Sequence, residues 1–113
     1  MVNRSDDPDG ITRGTGNVFA DLGYPDATER QTKLRLACAL NQVLDQRDLT
    51  QAHAARLLGV TQPKVSALRR YKLAGFSVEK LMTLLNALDH DVEIMIRRKP
   101  HSRRTGRISV VAA

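Results

Sequence analysis

The stretch over residues 49–70, LTQAHAARLLGVTQPKVSALRR, constrains this chain more than any other. Thr50 is a helix-capping residue, whose side-chain oxygen accepts from a free N–H in the first turn. Helical spacing then turns Ala55 and Leu58 inward. Gly59 supplies the left-handed backbone position that closes a helix at little steric cost. After Val60, Thr61 caps a second short helix with Val65 and Leu68 on its inner side. Pro63 looks misplaced, because proline in a helix interior removes a hydrogen bond and clashes with the preceding turn. With Thr61 as the cap it falls at the second helical position, where the N–H has no intrahelical acceptor. The proline therefore marks a boundary. Ala55 is small enough to let the two helices cross closely, and the spacing is that of a helix-turn-helix. A core-filling αα-hairpin is the plainer alternative.

The flanks extend this into a mainly α domain. Residues 1–16 are polar and rich in Asp, Gly and Pro, and are expected to lack order. NVFADLGYP (17–25) instead gathers Val18, Phe19, Leu22 and Tyr24, which either fold back onto the core or anchor a partner protein. Asp26 and Glu29 suggest a capped start for a helix over about 27–46, ended by DQRD. Leu36, Leu40, Val43 and Leu44 form its apolar stripe, with Arg30, Lys33, Gln42 and Gln46 on other faces. Cys38 reads as a small buried residue of that helix. Ser77 caps a later helix, with Phe76 and Leu81 placed as a hydrophobic staple and Val78, Leu81, Leu85 and Leu88 inward. DVEIMIRRK (91–99) alternates Val92, Ile94 and Ile96 with Glu93, Met95 and Arg97, a strand signature. A lone strand leaves its backbone unpaired. It needs either the later RISVVAA or the same strand of a second subunit. The expected organisation is a tail (1–16), a four- to five-helix domain (17–90), a β-strand used in dimerisation (91–98) and a basic tail (99–113).

Charge points to the partner. The formal net charge is +6. Residues 1–48 hold six Lys/Arg against eight Asp/Glu, or −2, and residues 49–113 hold twelve against four, or +8. The basic excess begins where the constraining stretch begins, which favours a polyanion over a merely solvated surface. With two Phe, two Tyr and no Trp, the core has to be aliphatic, which suits small packed helices. The single cysteine excludes an intramolecular disulfide. No apolar run approaches a membrane span, and MVNRSDDPDG lacks the apolar segment of a signal peptide, so a cytoplasmic location is expected.

Catalysis finds no support. His53, His90 and His101 fall in three separate segments, and there is no glycine-rich phosphate loop or paired acid and base. DHD (89–91) has the polar composition of a turn, and a metal site is not expected there. Neither an enzyme nor a cofactor is expected.

The stretch at 49–70 resembles the helix-turn-helix of the Cro/C1-type (XRE) repressor family, whose common form is close to TQ..LA..LG(I/V)(S/T)Q..(V/I)S..(I/L). It departs at Ala54, where the family often has Leu, and at Pro63, where a polar residue is more usual. The resemblance implies a lambda-repressor-like fold over about 27–90, acting as a homodimer on a palindromic operator in double-stranded DNA. Gln51 and Thr61 would then bond phosphates. A recognition helix at about 62–70 would enter the major groove with Gln62, Pro63, Lys64, Ser66, Ala67 and Arg70 exposed. Gln62 would pair with adenine, Lys64 would reach guanine or a phosphate, and Pro63 and Ala67 would touch a thymine methyl. Arg69, Arg70 and Lys72 would contact phosphates.

A narrower resemblance, carried by NVFADLGYPDA and AGFSVEKLMTLLNALDHDVEIMIR, is to HigA-type antitoxins. These are partners of RelE/HigB-like ribonuclease toxins that repress their own operon. It implies dimerisation through the strand at 91–97, by Val92, Ile94 and Ile96, and toxin contacts through the N-terminal segment or the first helix. A stand-alone XRE-type repressor without a toxin, or a protein-interaction module with vestigial DNA binding, are the competing readings.

Overall fold

Three hydroxyls start three helices. Thr50 Oγ1 accepts from the His53 N–H at 3.1 Å, Thr61 Oγ1 from the Lys64 N–H at 3.3 Å, and Ser77 Oγ from the Lys80 N–H at 2.9 Å. Each satisfies an N–H that the first turn leaves without an acceptor. The structure is a computed structural model and describes residues 25–112. Its described helices are α1 (Pro25–Arg47), α2 (Gln51–Leu58), α3 (Gln62–Arg69) and α4 (Val78–Ala87). The residues assigned from sequence to a polar tail (1–16), and Val18, Phe19, Leu22 and Tyr24, lie outside the described residues.

The chain divides into two units. One is Thr32–Met95 with Val110–Ala113, and it contains an aliphatic core. Leu36, Leu40, Val43, Leu44, Ala55, Leu58, Val65, Leu68, Leu81, Leu85 and Leu88 are buried as their spacing requires. Ala37, Ala54, Phe76 and Leu84 join them, and Val78 packs half-buried against the same cluster. Phe76 and Leu81 form the staple across the Ser77 cap. Helix α2 packs on both α3 and α4. In the other unit, Met1–Gln31 with Ile96–Ser109, the described part includes a turn where the Arg103 N–H donates to the Pro100 carbonyl at 3.2 Å. Lys99 Nζ donates to the Arg103 carbonyl in the same turn, at 2.8 Å.

Three expectations change. Helix α1 begins at Pro25, so Asp26 lies inside the first turn and is not its cap. Proline suits that opening position because its φ is already helical and its missing N–H would have had no partner. Cys38 is exposed, not buried. The inner stripe runs through Leu36, Ala37, Leu40, Val43 and Leu44, and Cys38 falls on the far side, where Gln42 Nε2 lies 3.9 Å from its sulfur. Finally, no strand forms among the described residues. Val92 and Val110 rest half-buried on the core, whereas Ile94 is 76% and Ile96 92% exposed. An extended segment acquires strand pairing only from a second strand, and within this single chain the described residues supply none.

Candidate nucleic-acid interface

The turn between α2 and α3 is built by Gly59. Its φ of 71° and ψ of 31° are left-handed. The Val60 N–H donates to the Ala55 carbonyl at 3.0 Å and the Gly59 N–H to Arg56 at 3.3 Å, which closes the end of α2. The chain then re-enters a helix at once through Thr61. Pro63 stands in the first turn of α3, as its position relative to Thr61 requires. Val65 and Leu68, each 1% exposed, anchor the back of α3 in the core. Its leading turn, Gln62, Pro63 and Lys64, faces solvent. A helix is thus seated by its inner face with its first turn bare.

The residues expected to touch DNA are placed as follows. Gln51 opens α2, exposed, and lines a shallow cleft with Asp45, Asp48, Thr50 and Arg69. Ser66 and Ala67 are half-buried, Ala67 against the core. Arg70 and Lys72 are exposed just past the end of α3, and Arg70 Nε leans on the Ser66 carbonyl at 3.4 Å. Val92, Ile94 and Ile96, expected in dimerisation, lie in the segment after α4, where no strand forms among the described residues.

Two of the expected cations already have partners in the fold. Lys64 Nζ donates to the Gly75 carbonyl at 2.8 Å and sits 4.8 Å from the centroid of the Phe76 ring. Arg69 Nη1 donates to the carbonyl of Asn41 at 3.1 Å and to its Oδ1 at 3.0 Å, while Nη2 bridges to Asp45 Oδ1. Asn41 is buried, and its Nδ2 donates to the Leu68 carbonyl at 3.1 Å. Asn41, Asp45, Gly75 and Phe76 thus hold α3 in place, and sequence reasoning had not singled them out for it. Asn41 was detectable: with Ala37 and Leu44 it falls at i, i+4 and i+7 on the inner stripe of α1, where a polar residue requires buried partners.

The segment DHD serves the fold. Arg47 Nη2 donates to the Leu88 carbonyl at 2.9 Å and pairs with Asp89 at 3.3 Å, a cation at the carboxyl end of α4. A ring nitrogen of His90 lies 2.8 Å from that same carbonyl, and Asn86 Nδ2 donates to the His90 carbonyl at 2.9 Å. Among the described residues no group of His, Cys, Asp or Glu side chains is placed to hold a metal ion.

Comparison with known proteins agrees with this geometry. The family described as the helix-turn-helix domain matches residues 18–97. A solved structure provisionally named an XRE family transcriptional regulator is 74% identical to this chain, with a TM-score of 0.76. The match covers 79% of this chain and all of that one. This chain belongs to the XRE helix-turn-helix family. No curated protein matches it. XRE proteins of this kind are transcriptional regulators and not enzymes, and no described helix is long and apolar enough to cross a membrane. The departure at Ala54 costs this XRE chain no burial, since Ala54 is 4% exposed.

Proposed function

We propose that this XRE-family chain is a sequence-specific DNA-binding repressor that acts as a homodimer on a palindromic operator, without a cofactor. The observation that carries the reading is the leading turn of α3. It is capped by Thr61, exposed at Gln62 and Pro63, and held from behind by Val65 and Leu68. The major groove, about 12 Å wide, admits an α-helix, and a bare first turn with a fixed back lets it present side chains to base edges. Gln62 can pair bidentately with adenine. Pro63 and the outer part of Ala67 offer apolar contact to a thymine methyl, and Ser66 a hydroxyl. Gln51 and Thr61, at helix N-termini, suit phosphates, as do Arg70 and Lys72. Arg69 serves instead as a brace between α3 and α1.

The dimer forms by pairing Val92–Ile96 with the same segment of a second copy, which covers Ile94 and Ile96. Two recognition helices would then address half-sites roughly 34 Å apart. In the finer form of this reading the protein is an antitoxin that represses its own operon and neutralises a RelE/HigB-like ribonuclease toxin. What supports that form is the resemblance over residues 17–100. A toxin-like reading frame next to this one, whose product forms a complex with the purified chain, is the expected finding. Its absence leaves a stand-alone repressor. Expression in the cytoplasm follows from either form.

A gel shift with the DNA upstream of the coding region, at two salt concentrations, tests the reading. A shift that survives excess random competitor at the higher salt is expected. No sequence-specific shift at either salt contradicts it and favours a protein-interaction module.

A further inference from the structure

Lys64 occupies the third position of α3, on the turn where a base-reading cation is expected, yet its ammonium is engaged elsewhere. Nζ donates to the Gly75 carbonyl at 2.8 Å and stands 4.8 Å from the centroid of Phe76. Both partners lie in the loop that follows α3, between Tyr71 and Ser77. That loop is anchored: Phe76 is 3% exposed, and its N–H donates to the Leu73 carbonyl at 3.0 Å. The backbone of Lys64 is fixed from the other side, where its N–H donates to Thr61 Oγ1. A Cβ on Gly75 would lie 2.8 Å from Nζ, so a side chain there crowds the ammonium and shifts it.

We propose that Lys64 is a positioning residue, a latch that ties the loop after the recognition helix to that helix's leading turn, and that base discrimination rests on Gln62 rather than on Lys64. An ammonium carries three donors and no acceptor. Here one donor meets a carbonyl while the charge lies over a ring face, which attracts it electrostatically. Swinging out to a base edge forfeits both contacts, and that loss offsets whatever a base contact returns. Gln62 is exposed on the same turn, and among the described residues its side chain has no hydrogen-bond partner. The second half of this inference rests on the DNA-binding reading, and the first half concerns the folded chain alone.

Hydrogen exchange of the full-length chain, free of DNA, reads the latch. In Lys64→Met the Phe76 amide is expected to exchange about fivefold faster, the scale of losing one exposed cation–ring contact. Lys64→Arg, which can still donate to the carbonyl and stack on the ring, is expected to restore protection. Gly75→Ala crowds the ammonium and should speed exchange in the same sense, adding little on top of Lys64→Met because both break one contact. Unchanged exchange at Phe76 in Lys64→Met overturns the latch.

A second arm uses duplexes that the wild-type protein enriches from a pool with a random core. Lys64→Met is expected to keep the wild-type base preference at every position, with the same dependence of affinity on salt. Gln62→Ala is expected to lose preference at one position or more. Relaxed preference at a single base pair in Lys64→Met would make it a base reader. A salt slope smaller by about one would make it a phosphate contact. Either result overturns the proposal. If the wild-type protein enriches no sequence, the DNA-binding reading fails, and the exchange arm still decides the latch.

Discussion

At the scale of single residues, the fold depends on caps. Gly59 adopts φ 71°, and a Cβ built there meets nothing within 4 Å. The cost of Gly59→Ala is therefore backbone strain alone, about 1–2 kcal/mol, read as a lower urea midpoint with an unchanged slope. Thr61→Ala removes the acceptor for the Lys64 N–H and is expected to cost about 1 kcal/mol, whereas Thr61→Ser should cost little. Thr50, Gly59, Thr61, Pro63 and Ser77 were legible in the sequence because each acts within one helical turn of itself. The helix ends at Asp48, Tyr71 and Asp89 were less so. They enter the left-handed region at φ 54°, 59° and 66° without a glycine to announce it. The partners of Lys64 and Arg69 could not be read at all: both basic side chains look free in the sequence, and only tertiary packing brings Gly75 and Asn41 to them.

At the scale of elements, α3 is held by its two ends. The carboxyl end is tied to α1 through Asn41, which donates to the Leu68 carbonyl and accepts from Arg69. Asn41→Ala removes both bonds and opens a buried space, so a loss of about 2–3 kcal/mol is expected by chemical denaturation. Arg69→Met is expected to cost less, about 1 kcal/mol, because its bridge to Asp45 is partly in solvent. Neither substitution touches Gln62, so the base preference of any DNA bound should be retained while overall affinity falls. The apolar stripes of α1 and α4 foretold their buried faces well, since burial follows helical period. Cys38 did not follow from its neighbours' composition. A residue in an apolar stretch is placed by its angle about the helix, and Cys38 lies off the stripe.

At the scale of the whole molecule, the segment after α4 is where sequence and structure part. Its alternation predicted a strand, and the described residues of one chain form none. Strand pairing is a property of two segments, and alternation in one of them cannot say where the other is. Because Ile94 is 76% exposed in the single chain, Ile94→Glu is expected to leave the monomer folded. Under the proposed pairing, sedimentation should then show a dimer for wild type and a monomer for the variant. A dimer in both would place the interface elsewhere.

The central claim is that the exposed first turn of α3 reads DNA sequence, and one comparison tests it most directly. Affinities of wild type and Gln62→Ala are measured by fluorescence anisotropy on a duplex enriched by the wild-type protein and on a scrambled duplex, at one salt concentration. A loss of about 1–3 kcal/mol on the enriched duplex, with scrambled binding unchanged, is the expected result. Equal losses on both duplexes, or none on either, would contradict it.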